Sequence, residues 1–173
     1  MRAPSLPATV RRQVRARAGR GCEYGVLADE DALFPHEADH SMATKHGGPS
    51  PLATLAFACC DGNRCKSSDM ASRDAVSGAL VSLLHPRLHQ GQEHVRLAGG
   101  AIVPLTAIGR VTALLLKCHV LQRVEVRETL VRTGQYPRRV LGASHRGSAT
   151  SRASSSSRNK RWVHALALSC QEA

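Results

Sequence analysis

The fold prediction rests on TALLLKCHVLQRVEVRETLV, residues 112–131, the longest regular apolar pattern in the chain. Leu116, Val120 and Val124 recur every four residues, which places them on one face of a helix. Residues 124–127 alternate apolar and charged side chains, so a short strand is the alternative there. The pattern predicts a helix over 112–131 and a fold that is mainly α.

Two further helices are predicted towards the N-terminus. One begins at Thr9 and has Val10, Val14 and Ala18 on one side. The other covers residues 26–42, because its three consecutive acidic residues suit the first turn of a helix. One helix is therefore predicted within the basic N-terminal segment, and the other follows that segment.

A third helix is predicted over residues 70–85. It is preceded by a Gly/Pro-rich break at 47–51 and by the short apolar run 52–60. Residues 101–121 are the most apolar stretch, but Pro104 and two basic residues interrupt it, so no membrane-spanning helix is expected. The apolar side of the third helix consists of Val76, Leu80, Leu83 and Leu84.

The composition predicts a mainly α, loosely packed structure with disordered basic N- and C-terminal segments. Aromatic residues make up 3% of the chain, and large aromatics contribute much of the packing in protein cores. Arg outnumbers Lys by 20 to 4, a bias that GC-rich codons produce. One interpretation is a small basic protein; the other is a reading frame that was never selected to encode a protein.

The net charge of +11 is concentrated at the two ends of the chain. Residues 1–22 carry six Arg and no acid, and residues 101–173 carry twelve basic and three acidic side chains. Basic arms of this kind attract phosphate backbones without reading their sequence. No specific activity is readable from the sequence; at most it indicates non-specific binding of RNA, DNA or other polyanions, and a non-enzymatic role is favoured over an enzymatic one.

The charge and composition shifts divide the chain into four predicted parts. The acid-free N-terminus resembles a mitochondrial transit peptide in composition, and the short basic cluster at 158–161 resembles a nuclear signal. An intracellular location is expected, with mitochondrion and nucleus as the candidates. The parts are a basic N-terminal arm or transit-like segment (1–22), a weakly folded, mainly helical region (23–141), a disordered Ser/Arg-rich linker (142–161) and a short apolar C-terminal segment (162–173).

A separate motif, HEADHSMATKH at residues 36–46, has the spacing of a zinc site. On a helix, His36 and His40 lie on one face, one turn apart. Both imidazoles would then reach one zinc ion, with Glu37 beside the metal-bound water as general base. His46 would supply the third ligand if the chain turned back after the helix.

This motif resembles the metzincin consensus H-E-x-x-H-x-x-G-x-x-H. His36, Glu37, His40 and His46 fall on the family's ligand and base positions, and Met70 is a candidate for its methionine turn. The resemblance covers residues 36 to 70. It implies a zinc-dependent endopeptidase with Zn²⁺ as cofactor, which is the alternative to polyanion binding.

The cysteines show no disulfide-framework pattern. Because no apolar secretory signal is evident at the N-terminus, reduced thiols are expected. Cys60 and Cys65, followed by His85 and His89, have the donor types of a Cys2His2 zinc site, but the 19-residue interval exceeds the roughly 12 residues of the usual finger. The six are Cys22, Cys59, Cys60, Cys65, Cys118 and Cys170.

Overall fold

A computed structural model describes residues 6–42 and 52–138. The predicted helical content is confirmed in part, because these residues also form three two-stranded antiparallel sheets and the class is mixed α/β. The predicted linker and C-terminal segment, 142–173, lie outside the described residues. The elements are α1 (Ala8–Arg17), β1 (Glu37–His40), a 3₁₀ turn (Leu52–Thr54), β2 (Leu55–Ala58), α2 (Cys60–Lys66), β3 (Ala71–Arg73), β4 (Leu80–Ser82), α3 (Gly91–His94), β5 (Val95–Ala98), β6 (Ala101–Pro104), α4 (Ala107–Leu115) and α5 (Leu121–Arg132).

Strand β2 lies between two apolar layers. Successive side chains of a strand point to opposite faces. Leu55 and Phe57 accordingly pack on α1, whereas Ala56 and Ala58 belong to a larger core on the other side. All four are buried, so β2 is the strand around which the described part of the chain is organised.

Helix α1 confirms the helix predicted from Thr9. Val14 and Ala18 are buried against β2, and Val10 packs beside them. Arg11, Arg12 and Arg15 lie outside this contact and are exposed to solvent, whereas Arg17 donates to the carbonyl of Leu55 at 2.5 Å. The expectation of a disordered N-terminal segment is therefore wrong for residues 6–22, because their apolar side has a buried strand to pack against.

The helix predicted over residues 26–42 is wrong. Its only regular part is Glu37–His40, which forms β1 and pairs with β2 so that Glu37 lies opposite Ala58. The cause is tertiary, since the N–H and C=O groups of the buried strand β2 need partners and β1 supplies them. Val26 also has a φ of +47°, which a right-handed helix does not contain.

The helix predicted over residues 70–85 is instead the hairpin of β3 and β4. In its turn, Asp74 accepts hydrogen bonds from the N–H and hydroxyl of Ser77 at 3.1 and 2.8 Å. Arg110 donates two more, both at 2.8 Å. The two local bonds from Ser77 favour a turn over a helix. Leu80, expected on the buried side of the helix, is 78% exposed.

Asp74→Asn is expected to destabilise the protein at neutral pH and to have less effect in acid. Hydrogen bonds from Arg110 and Ser77 hold the pKa of the Asp74 carboxyl well below its usual range. A lowered folded-state pKa contributes stability above the unfolded-state pKa of about 3.9, and that contribution is lost as the pH falls towards the folded-state value. Urea unfolding of both proteins at neutral and acidic pH measures this; an equal difference at both would contradict it.

The helix predicted over 112–131 forms as two helices, α4 and α5. Between them Lys117 has a φ of +50°, and the N–H of Cys118 bonds to the carbonyl of Ala113 at 2.9 Å. This is the Schellman ending of a helix, whose left-handed position is usually glycine. Because Lys117 occupies it, the sequence carried no stop signal. The strand alternative for 124–127 is wrong, since these residues lie in α5.

Candidate functional site

Three cysteines from distant parts of the chain meet in the larger core. Cys22 follows α1, Cys59 precedes α2, and Cys118 lies between α4 and α5. All three are buried in one apolar cluster, and none is in a disulfide. The cluster therefore brings together thiols that lie far apart in the sequence.

Cys59 has the most polar surroundings of the three. Its sulfur lies 3.3 Å from Nη2 of Arg123 and is hydrogen-bonded to the Cys22 thiol. The bond from Cys22, and then the charge of Arg123, lower the pKa of Cys59 against the opposing effect of burial. The same bond, with burial, raises the pKa of Cys22. Because the Arg123 guanidinium contacts Cys59, Cys59 is the sulfur of the pair whose thiolate form is favoured by its surroundings.

A glycine leaves the space that the Cys59 sulfur occupies. A Cβ atom on Gly62 would lie 2.9 Å from that sulfur, closer than packed atoms approach. The Gly62 backbone N–H also lowers the pKa of Cys59. The Cys59 sulfur therefore keeps its position because Gly62, on the first turn of α2, has no side chain.

Two guanidinium groups lie near the thiols, that of Arg127 buried and that of Arg123 half-buried. Arg127 is 4% exposed and donates to the carbonyls of Gly100 at 2.5 Å and Cys118 at 2.6 Å. In the described part of the chain, neither Arg127 nor Arg123 forms an ion pair with a carboxylate. Because an uncompensated buried charge is costly, these cations favour an anion at Cys59.

A cavity of about 50 Å³ lies beside Cys59. A single water needs roughly 10–15 Å³ of such space, so the cavity holds a few molecules of that size. Cys59, Arg123 and Arg127 lie in its wall, together with the apolar side chains of Leu33 and Phe34. The cavity therefore places the Cys59 sulfur beside two guanidinium groups, and the carboxylates of Asp31 and Asp61 also line it.

A larger groove of about 580 Å³ runs along the basic side of α1. Asp29 and Glu30 pair with two of its arginines, Asp29 with Arg15 at 2.5 Å and Glu30 with Arg20 at 3.6 Å. The other two have no carboxylate partner among residues 6–42 and 52–138, so the groove carries excess positive charge. Its arginines are Arg11, Arg12, Arg15 and Arg20.

The structure separates the predicted zinc ligands that it describes. His36 precedes β1 and His40 ends it, and four residues of extended chain span roughly 13 Å. The Nε2 atom of His36 lies 3.0 Å from the carbonyl oxygen of Leu27. The two imidazoles are therefore not one helical turn apart, as the zinc hypothesis requires. His46 lies outside the described residues.

The predicted base, Glu37, accepts a hydrogen bond from Nδ2 of Asn63 at 2.7 Å, and its other oxygen lies 3.8 Å from the Cys60 sulfur. These contacts attach Glu37 to α2. Across residues 6–42 and 52–138, no three or more His, Cys, Asp or Glu side chains are grouped to hold a metal. The zinc site with His46, and the peptidase activity, stay predictions.

Asp39, inside the same motif, forms a buried ion pair with Lys66. The Nζ atom of Lys66 lies 3.2 Å from one Asp39 oxygen and 3.1 Å from the carbonyl of His40. Tyr24 donates its hydroxyl to the second oxygen at 2.9 Å. Burial raises the pKa of Asp39, and Lys66 and Tyr24 oppose that rise. This network joins α2 to β1, so it contributes to the fold.

No sequence pattern assigns a role to Cys22, Cys59, Cys118 or Arg123. The contact between Cys22 and Cys59 arises because the segment after α1 packs at the end of β2, where the N–H of Glu23 bonds to the carbonyl of Phe57 at 2.8 Å. No local spacing encodes such a contact. The arginines of α1, by contrast, were visible in the sequence.

Comparisons with protein-family models, with curated proteins and with solved structures gave no match to this chain. None of the helices in the described ranges has the length and apolar content required to cross a bilayer. The arginine-lined groove and the cysteine cluster are therefore the features from which a function can be inferred.

Proposed function

We propose that the protein binds the phosphate backbone of nucleic acids in the arginine-lined groove, without sequence preference. The observation that carries the proposal is the pair Arg11 and Arg12, which are exposed and have no carboxylate partner in the described part of the chain. A guanidinium group donates paired hydrogen bonds that match phosphate oxygens. Helix α1 presents both groups on a rigid support.

The lining of the groove favours backbone contacts over base recognition. Single-stranded nucleic acids are usually held by aromatic side chains on which the bases stack. The aromatic ring in this groove belongs to Phe57, which is 4% exposed and packs under α1. Binding is therefore electrostatic, and its affinity is expected to fall steeply with salt.

The double variant Arg11→Ala/Arg12→Ala is expected to weaken binding of a fluorescent single-stranded RNA. Each phosphate contact contributes about 0.7 to the slope of log affinity against log salt for a single strand. Loss of two contacts should therefore reduce the slope by roughly 1.4. Fluorescence anisotropy across a salt series measures it. Ala suits the helix interior, so α1 is retained.

The matched control is Arg96→Ala, an exposed arginine on β5 outside the groove. It removes one positive charge without touching α1, so it should leave the salt slope within the error of the wild-type value. Equal losses in the groove and control variants would mean that net charge, and not the groove, drives binding. Salt-insensitive or absent RNA binding by the wild type would refute the proposal.

A further inference from the structure

We propose that Cys59 and Cys22 form a peroxide-reducing dithiol, in which Cys59 attacks a small hydroperoxide and Cys22 resolves the product as an intramolecular disulfide. The proposal is independent of nucleic-acid binding, since the groove and the cavity beside Cys59 share only Ala32 and Leu33 among their lining residues. The proposal is based on the Cys59 sulfur, which contacts the Arg123 guanidinium, lies in one cluster with the Cys22 thiol and lines a cavity.

Cys59 has the surroundings of an attacking sulfur. The reactive form of cysteine is the thiolate, and a nearby arginine favours that form. Arg123 lies 3.3 Å from the sulfur, and Arg127 is buried in the same cavity wall. The Arg123 guanidinium also stands beside the sulfur where the negative charge of a departing hydroxide would develop, and fixed positive groups stabilise such charge.

The reaction balances with a hydroperoxide as the only oxidant. The Cys59 thiolate attacks one peroxide oxygen, so an S–O bond forms and the O–O bond breaks. The hydroxide released takes up the proton that Cys59 had lost, and Cys59 becomes a sulfenic acid. The Cys22 sulfur then attacks the Cys59 sulfur, an S–S bond replaces the S–O bond, and the hydroxyl leaves with the Cys22 proton as water. Two thiols and one hydrogen peroxide give one disulfide and two waters.

The size of the cavity selects the oxidant. About 50 Å³ admits hydrogen peroxide, which is little larger than water, but excludes a tripeptide disulfide such as oxidised glutathione. Cys59 is 7% exposed and Cys22 is 2% exposed, so neither is reached from the open surface. Cys65, which is more exposed than either, serves as the reference thiol of ordinary accessibility.

The experiment is oxidation of the full, reduced chain with hydrogen peroxide, followed by non-reducing digestion and mass spectrometry. The expected product is a Cys22–Cys59 cross-link with the loss of two hydrogen masses. It should form at least tenfold faster than oxidation of Cys65, the reverse of the order that exposure alone predicts. Oxidised glutathione should produce neither the cross-link nor a mixed disulfide at Cys59.

Conservative variants separate the two sulfurs. Cys22→Ser should leave Cys59 as a sulfenic acid that a dimedone probe labels, and Cys59→Ser should abolish oxidation of Cys22. Arg123→Met should slow the cross-link, and the slowing should be largest at an assay pH below the pKa of Cys59, where the thiolate fraction falls about tenfold for each unit by which that pKa rises. Arg123→Lys should recover part of the rate. Cys118→Ser, in the same core, is the control and should cross-link at the wild-type rate.

Three results would overturn the proposal. They are oxidation of Cys65 before Cys59, a cross-link whose rate is unchanged in Arg123→Met, and a disulfide that joins Cys118 to Cys59 in place of Cys22. The wild-type mapping needs no variant, so it decides the question even if a substitution prevents folding. The Arg11→Ala/Arg12→Ala protein should react at the wild-type rate, which separates this activity from RNA binding.

Discussion

Lys66→Met is expected to lower the free energy of unfolding by about 3–5 kcal/mol, the usual cost of removing one partner from a buried ion pair. Lys66 and Asp39 are 2% and 4% exposed. Methionine fills much of the lysine volume but leaves the Asp39 carboxylate in the interior without its cation. Urea unfolding followed by circular dichroism measures the loss.

Two comparisons test the cause of that loss. Asp39→Asn in the Lys66→Met background removes the unpaired charge and should restore a large part of the stability. Arg64→Met changes an exposed cation on the same helix and should cost no more than about 0.5–1 kcal/mol. The Lys66→Met effect should also shrink in acid, because a protonated Asp39 needs no cation. A double variant as unstable as the single one would contradict the ion-pair explanation.

Gly109→Ala is expected to destabilise the protein by about 3 kcal/mol or more, at the upper end of overpacking effects. Gly109 lies in α4 directly against the carbonyl oxygen of His94, and an added Cβ would fall well inside contact distance of that oxygen. The same carbonyl accepts the N–H of Leu105 at 2.8 Å. Backbone cannot move aside as a flexible side chain does, so α4 would have to shift.

The matched control is Gly91→Ala. Gly91 is the first residue of α3, has no atom within 4 Å of an added Cβ and should be neutral or slightly stabilised by alanine. Both variants remove the same backbone freedom from the unfolded chain, so their difference reports the packing at Gly109. Equal unfolding free energies would show that α4 does not pack closely on the His94 carbonyl.

Helix α1 and the contact between Cys22 and Cys59 differ in whether the local sequence pattern predicts them. The helix from Thr9 was predictable because Val10, Val14 and Ala18 form an apolar side. In the structure that side packs on the buried strand β2. The Cys22–Cys59 contact was not predictable, since its two sulfurs meet only after separate segments have packed.

The amino-acid sequence by itself determined which segments have an apolar side and where positive charge collects. Those properties depend on residue spacing over a few helical turns. They located α1, the helices within 107–132 and the arginines of the arginine-lined groove. Tertiary structure alone decided that 36–40 is extended and that 71–82 is a hairpin. The backbone of β1 pairs with β2, and the Asp74 side chain in the hairpin turn is bound by Arg110, so both partners lie far away in the chain. The thiolate site was also a tertiary outcome, because the cation and the second thiol that create it act through space at a few ångströms.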